Sequence, residues 1–105
     1  MDSPLSTKSA ILQALIQGEA YGIEIIDRVK ERSGGSIRLG QGSVYPALRA
    51  LERKGFIEAH WGEPRPERGG RPRRYYKLTA KGARAATEER TAIIGLLGVP
   101  GVVRV

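Results

Sequence analysis

The chain has 105 residues, contains no cysteine and carries 18 Lys and Arg against 11 Asp and Glu, which gives a net charge of +7. This length suits a single domain with one modest core, and the missing cysteines exclude disulfides, thiolate nucleophiles and cysteine-ligated zinc. The positive charge favours a polyanionic partner, with nucleic acid ahead of an anionic membrane surface.

Two amphipathic helices are predicted at the start of the chain. The first has an apolar stripe at helical spacing, which Gly18 ends and which consists of Ile11, Leu12, Leu15 and Ile16. The second begins at Tyr21 and Gly22, repeats the same spacing, and stops at the doublet of Gly34 and Gly35. A short turn region then separates it from the next helix.

A third, short helix is predicted within the stretch GQGSVYPALRALERKG, from Gly40 to Gly55. Its apolar stripe consists of Val44, Ala47, Leu48 and Leu51. Proline lacks an N–H and is tolerated only near the first turn, so the sequence predicts Ser43 as the N-cap, with Pro46 just inside the helix. A start near Gly40 would instead leave the carbonyl oxygen of Gly42 without a helical partner. Gly55 is expected to end the helix in the left-handed conformation.

After Gly55 the apolar period changes from about 3.6 residues to about 2. The segments FIEAHWGE and RRYYKLT are typical of short strands, and a loop rich in proline and glycine joins them, so the sequence predicts a β-hairpin. Thr79 is expected to cap a fourth helix, which Gly98 and Pro100 end before the apolar tail GVVRV.

The order of these elements indicates the fold class. We expect a mainly α protein with a small β-hairpin: a winged helix-turn-helix domain over residues 1–78, then a C-terminal dimerisation helix and apolar tail over residues 79–105. In this fold the third helix enters the major groove of DNA. The small residues at its front end let its first turns reach base edges and phosphates.

The positive charge is concentrated on the hairpin. Between Arg65 and Lys77 lie six basic residues and the single acid Glu67, so this region supplies +5 of the net +7. An arginine-rich loop with a glycine pair at its tip suits a phosphate backbone or a narrow minor groove, and the alternative is a solvated, flexible loop. The helices in front of the hairpin favour nucleic-acid contact.

Four motifs together resemble one family across nearly its whole winged-helix domain. They are Tyr21-Gly22 at the start of the second helix, GSVYPALRALERKG, Trp61-Gly62 before the wing, and RRYYKLTAKG after it. In these motifs the chain is similar to the PadR family of bacterial transcriptional regulators. The resemblance implies a dimeric DNA-binding repressor or regulator that places the third helix and the wing on DNA and exchanges its C-terminal helix between subunits.

Two departures from the family pattern affect these expectations. Gly40 stands where the family often has a hydroxyl residue, so the usual cap is missing or replaced by Ser43. The region after the wing is short, which resembles the members with a short C-terminal helix. For some members the resemblance also implies a small-molecule effector at the dimer interface, and nothing in this sequence identifies such a ligand.

The candidate DNA-binding residues come from three places. They are Gln41, Gly42, Ser43, Tyr45, Pro46 and Arg49 in the recognition helix; Arg68, Gly69, Gly70, Arg71, Arg73 and Arg74 in the wing; and Tyr21 and Gly22 at the start of the second helix. Gln41 can read adenine or bind a phosphate, and its alternative is a solvated amide. Arg49 is expected on DNA rather than in a surface ion pair, whereas Tyr21 and Tyr45 have packing against core or wing as alternatives. Trp61 and Tyr76 are expected to pack at the wing base.

The fourth helix offers more apolar surface than a domain of this size can cover, which predicts a dimer. The candidate interface residues are Leu5, Leu12, Ala83, Ala86, Arg90, Ile93, Ile94 and Leu97. The alternative is that this helix folds back on its own domain. A regulator that reads two half-sites needs a two-fold axis, with half-sites about one helical turn apart.

Nothing in the sequence favours an enzyme, a metal site or a cofactor. His60 is the only histidine, and Gly40 and Gly42 do not form a nucleotide-binding glycine loop. Without a secretory signal or a long apolar run, we expect a soluble cytoplasmic protein with no membrane partner. The sequence predicts a homodimeric repressor of a pseudo-palindromic operator, and the alternative is a winged-helix module for protein or RNA contact.

Overall fold

The computed structural model describes residues 6–63, 69 and 72–98. Within them lie the helices α1 (Thr7–Leu15), α2 (Gly22–Arg32), α3 (Gln41–Arg53) and α4 (Ala80–Leu97), and the strands β1 (Ala20–Tyr21), β2 (Ile57–Trp61) and β3 (Arg74–Leu78). This order confirms the predicted winged helix-turn-helix, in which β2 and β3 form the wing.

The sheet has a third strand that the sequence did not indicate. Its order is β1-β3-β2, with both pairs antiparallel. Ile57 pairs with Leu78 at one end of the wing and Trp61 with Arg74 at the other, while Ala20 of β1 lies opposite Tyr76. A two-residue strand is too short to show an alternating pattern. This third strand, β1, holds the start of α2 against β3, the central strand of the sheet.

The core lies where α1, α2 and α3 meet the wing. The largest fully buried side chains are Ile11 of α1, Ile25 of α2, Val44 and Leu48 of α3, and Ile57 of β2. Each such side chain contributes about 1.5–3 kcal/mol through burial. The predicted apolar stripes therefore pack into one cluster, which fixes α3 with its opposite face toward solvent.

Both ends of α3 are set by glycines, but the predicted N-cap is wrong. The helix begins at Gln41 with Gly40 as N-cap rather than Ser43, and the Gly40 carbonyl accepts from the Val44 N–H at 2.9 Å. Pro46 then lies inside the helix, so the exposed Gly42 carbonyl lacks its helical donor and is left to solvent. Gly55 ends the helix with φ +79°, as predicted.

The predicted cap of α4 is confirmed, and it also joins α4 to the end of α3. The Thr79 hydroxyl oxygen accepts from the Gly82 N–H at 3.1 Å, and the Thr79 O–H donates to the Gly55 carbonyl at 2.6 Å. Gly98 ends α4 in the left-handed conformation with φ +62°. The orientation of α4 is therefore fixed at its first turn by the α3–β2 connection.

The first half of α4 folds back on its own domain. Gln13 of α1 donates to the Ala86 carbonyl at 2.8 Å, and Glu89 accepts from Ser9 at 2.5 Å and from Gln13 at 3.2 Å. Ala86 is fully buried and Leu12 is 7% exposed. These two residues are corrected from the candidate dimer interface to the protomer core, because their side chains are already covered.

The second half of α4 keeps its apolar surface open to solvent. Ile93 is half-buried, whereas Ile94, Leu96 and Leu97 are 45%, 86% and 68% exposed. Ala83 and Arg90 are also exposed, and Leu5 lies outside the described residues. Leu96 was not among the predicted interface residues because it lies beside the stripe that the spacing of the others defines.

Candidate nucleic-acid interface

The front end of α3 is accessible, as groove entry requires. Gln41, Gly42, Ser43 and Pro46 are exposed, while the opposite face of the helix is buried in the core. A Cβ atom added at Gly40 or Gly42 would meet no atom within 4 Å. The helix N-terminus therefore presents free backbone N–H groups and small side chains to solvent, an arrangement that favours an anion.

Arg49 extends this accessible face by two turns of the helix. Its side chain is exposed, and no residue that the structure describes forms an ion pair or hydrogen bond with it. Glu52, the nearest acid along the helix, instead forms an ion pair with Arg74 of the wing. The surface ion pair considered as the alternative for Arg49 is therefore not formed within the described part of the chain.

Tyr45 packs against the start of α2, and a glycine makes the contact. A Cβ atom at Gly22 would lie 2.5 Å from the Tyr45 hydroxyl oxygen and 2.7 Å from two ring carbons. Gly22 is buried and Tyr45 half-buried. The absence of a side chain at Gly22 thus lets the Tyr45 ring cross from the recognition helix to the N-terminus of α2.

A cleft of about 300 Å³ opens around this contact, between α2, α3 and the wing. Its walls consist of Tyr21, Gly22, Ile23, Tyr45, Arg73, Arg74 and Tyr76. The Arg73 guanidinium, phenol hydroxyls and a helix N-terminus are all groups that bind phosphate oxygens. The cleft therefore connects the recognition helix to the base of the wing with groups suited to a nucleic-acid backbone.

Stacked side chains hold Arg73 beside the start of α2. The Arg73 guanidinium lies over the Tyr21 ring at 4.1 Å, and Tyr21 meets Tyr75 edge to face at 5.6 Å. His60 stacks on the other side of Tyr75 at 5.7 Å, and its Nε2 lies 3.0 Å from Glu19 Oε1. The chain of contacts joins β1, β2 and β3, so Arg73 is placed by the sheet and not by a free loop.

Arg74 differs from its neighbour because its charge is used within the protein. Its guanidinium forms an ion pair with Glu52 of α3 at 3.1 Å and lies 5.2 Å from the centre of the Trp61 ring. Burial raises the pKa of the Tyr76 hydroxyl above its ordinary 10.0, and the positive charge of Arg74 opposes that effect. We therefore reassign Arg74 from a DNA ligand to a residue that fastens the wing to α3.

The aromatic residues of the wing base are placed differently from one another. Tyr76 is 6% exposed, which agrees with the expected packing role. Trp61 is 62% exposed, so the expectation that it packs at the wing base does not hold for most of its indole ring. Trp61 and Tyr76 lie on the same face of the sheet, and the greater exposure of Trp61 follows from its position as the last residue of β2, at the end of that face away from the buried Ile57.

The tip of the wing is described only in part. Gly69 is exposed and left-handed, with φ +67°. Arg68, Gly70 and Arg71 lie outside the described residues. Among the described residues, no group of three His, Asp or Glu side chains is placed to hold a metal ion, and no helix is long and apolar enough to cross a membrane.

Residues 11–88 match the transcriptional regulator PadR-like family. An uncharacterised protein of Lysinibacillus sphaericus is 32% identical over 74 residues, which make up 70% of this chain and 65% of that protein. The chain thus spans slightly less than two thirds of the length of this curated relative.

Solved structures give the same fold. A PadR-like transcription factor from Bacteroides fragilis is 30% identical with a TM-score of 0.71, over 87% of this chain and 82% of that one. A transcriptional regulator from Clostridium thermocellum is 26% identical with a TM-score of 0.69, over 87% and 88%. Bacillus subtilis PadR in complex with operator DNA is 27% identical with a TM-score of 0.69, over 93% and 52%. Because the family match extends from α1 into α4, this chain belongs to the PadR-like family of transcriptional regulators.

Proposed function

We propose that this chain is a homodimeric repressor that binds a pseudo-palindromic DNA operator and blocks transcription by occupying it. The observation that carries the proposal is the exposed front end of α3, where Gln41 and Ser43 precede Tyr45, which lines the cleft, by about one turn or less. The operator complex of Bacillus subtilis PadR, a protein of the same fold, supports DNA as the partner. Such a protein acts in the cytoplasm, where bacterial DNA is.

We propose separate tasks for the parts of this surface. Gln41, at the first position of α3, contacts base edges in the major groove, and Arg49 contacts the DNA along the side of the same groove. Tyr45 and the N–H groups at the start of α2 contact a phosphate, and Arg73 contacts the backbone from the wing. Sequence preference therefore comes from α3, and affinity comes from the basic wing.

Two copies of the chain are needed to read two half-sites. The exposed apolar residues of the last turns of α4, Ile94, Leu96 and Leu97, supply the surface on which a second copy packs. Release by a small-molecule effector is a further part of the proposal, and it rests on the family resemblance.

Selection of bound duplexes from a random library, at moderate salt and followed by sequencing, tests this function. Recovery of an inverted repeat with half-sites about one helical turn apart is the expected result. Binding without sequence preference would leave a general nucleic-acid role. Binding to single-stranded RNA, or to an acidic protein in preference to any duplex, would favour the alternative role as an interaction module.

Gln41→Ala is expected to relax sequence preference at one position of each half-site. A lost bidentate contact to adenine costs about 1–3 kcal/mol of discrimination, while binding to unrelated DNA should change little. The measurement is competition between the recovered operator and its single-position variants. Ser36→Ala, at an exposed site in the turn region before α3, is the control. If Gln41→Ala leaves the preference at every position unchanged, Gln41 does not read bases.

Arg73→Ala is expected to weaken binding to all duplexes alike, by about tenfold, because one charge-assisted phosphate contact is lost. The slope of log K against log salt should become shallower by about 1. Arg73→Lys keeps the charge and should keep most of the slope. Arg53→Ala, which removes an exposed charge at the far end of α3, is the control. A loss confined to the operator, with an unchanged slope, would contradict the phosphate role.

A further inference from the structure

The recognition helix contains two residues that are unfavourable inside a helix, and they lie four residues apart. Gly42 occupies the second position of α3 and Pro46 the sixth. Glycine loses more backbone entropy in a helix than other residues do, and proline removes one backbone hydrogen bond. Both residues are exposed, so neither belongs to the core. The buried side chains of α3 are instead Val44, Ala47, Leu48 and Leu51.

Both residues lie in the middle of the face of α3 that is opposite the core. A helix turns by about 100° per residue, so Gly42, Pro46 and Arg49 fall within one narrow stripe along it. All three are exposed, whereas Val44 and Leu48 on the other side are fully buried. In a winged helix-turn-helix the accessible face of the third helix enters the major groove. Gly42 and Pro46 therefore lie where α3 would meet base edges.

Together the two residues leave one backbone carbonyl without its helical partner. The Gly42 carbonyl would accept from the N–H four residues further on, but that residue is Pro46, which has no N–H. No side chain that the structure describes donates to this oxygen. A proline ring also crowds the carbonyl four residues before it, and carbonyls on the solvent side of a helix tilt outward. The Gly42 oxygen is therefore available to a donor from outside the helix.

The space over Gly42 is open. A Cβ atom added at this residue would have no protein atom within 4 Å. Because glycine has no side chain of its own, a flat base edge can approach the backbone here more closely than at any other residue type. The two unfavourable residues thus act on the same oxygen: Pro46 frees the acceptor, and Gly42 gives access to it.

We propose that the Gly42 carbonyl accepts a hydrogen bond from an exocyclic amino group of a base in the major groove, which makes Gly42 and Pro46 specificity-determining residues. The inference rests on the proposed function and deepens it. A carbonyl only accepts, and the amino groups in the major groove are N6 of adenine and N4 of cytosine. Guanine and thymine present acceptors there, which would repel the oxygen. One position of each half-site should therefore prefer adenine or cytosine over guanine or thymine on one strand.

Pro46→Ala tests the inference, because alanine supplies the missing N–H to the Gly42 carbonyl. The measurement is competition between the recovered operator and its single-position variants. The original chain should prefer the two amino bases at one position by about three- to tenfold, as expected for one neutral hydrogen bond. Pro46→Ala should reduce this preference to below about twofold, keep the preferences at the other positions, and keep or raise the Tm.

The matched control is lactic acid incorporated in place of Pro46. It removes the proline ring, as Pro46→Ala does, but the ester that it forms carries no N–H. This variant should keep the preference for the amino bases, because the Gly42 carbonyl stays free. It therefore separates hydrogen bonding by the carbonyl from contacts of the proline ring.

A second measurement removes the donor from the DNA. Purine in place of adenine, or 2-pyrimidinone in place of cytosine, lacks the amino group at the position in question. This change should weaken binding of the original chain by about three- to tenfold more than binding of Pro46→Ala. Both proteins are compared on the same two duplexes, so the difference between their losses isolates this contact.

The outcomes distinguish this inference from the proposed function. The inference is wrong if Pro46→Ala keeps the preference at every position, or if the lactic acid variant loses it as Pro46→Ala does. Either result, obtained with a specific operator, would leave the repressor function intact. If the original chain selects no preferred sequence at all, the proposed function and this inference both fail.

Discussion

Gly82→Ala is expected to destabilise the fold by about 3 kcal/mol or more, although alanine is the better helix former by about 1 kcal/mol. A Cβ atom at this position would lie 1.8 Å from the carbonyl oxygen of Phe56 and 2.9 Å from its carbonyl carbon. No side-chain rotation relieves this contact, because the obstacle is backbone. The first turn of α4 would have to move away from the α3–β2 connection.

The Phe56 carbonyl cannot move without further losses. It accepts from the Thr79 N–H at 3.1 Å, and the Phe56 N–H donates to the Leu51 carbonyl at 3.0 Å. Displacement would also strain the Thr79 cap of α4. Because 1 kcal/mol shifts the Tm of a domain of this size by about 4–8 °C, the expected change corresponds to a fall in Tm of roughly 12–24 °C.

Urea unfolding followed by helix circular dichroism, at one fixed protomer concentration, measures this effect. Gly95→Ala in the same helix is the matched control, because a Cβ atom at Gly95 would have no atom of the same chain within 4 Å. It should leave stability unchanged or raise it by up to about 1 kcal/mol. A Gly82→Ala protein within about 0.5 kcal/mol of the original would show that α4 does not start against Phe56.

Gly82 also shows what the sequence can predict and what it cannot. Local signals predicted the four helices and the hairpin: the apolar stripes, the left-handed Gly55, the end of α4 at Gly98 and the Thr79 cap all depend on residues close together in the chain. The close approach of Gly82 to Phe56 joins residues that are distant in sequence. A glycine inside a predicted helix gives no sign of whether it faces solvent, as Gly95 does, or a carbonyl group.

The candidate site divides in the same way. The spacing and composition of the sequence predicted that the front end of α3 is accessible, but they did not predict the different roles of the adjacent Arg73 and Arg74. Arg73 lies on Tyr21 and Arg74 on Glu52, because successive residues of an extended chain point to opposite sides. The start of α3 was predicted one turn too late, at Ser43 instead of Gly40, because only the local cost of a proline inside a helix was considered. The burial of Val44 and Leu48 in the core stabilises the longer helix, although Pro46 cannot donate a hydrogen bond to the Gly42 carbonyl.

Leu97→Glu is expected to reduce operator affinity by about 100-fold or more, because the second half-site no longer binds as part of the same complex. Leu97 is 68% exposed in the single chain, so a charge there leaves the protomer fold intact. In the proposed dimer the same carboxylate would be buried against Ile94 and Leu96 of the interface, which carries a large desolvation cost. Sedimentation velocity should show a monomer at concentrations where the original chain is a dimer.

A duplex with a single half-site distinguishes lost assembly from a damaged DNA surface. Leu97→Glu and the original chain should bind it equally, because Leu97 is the last residue of α4 and belongs to neither the recognition helix nor the wing. Ala80→Glu adds the same charge at the exposed first turn of α4, where an acid is favourable, and should keep the dimer and the operator affinity. If Leu97→Glu still sediments as a dimer, the two-fold contact lies elsewhere. If it is a monomer that binds the whole operator as tightly as before, each protomer reads its half-site independently, and dimerisation has no part in operator recognition.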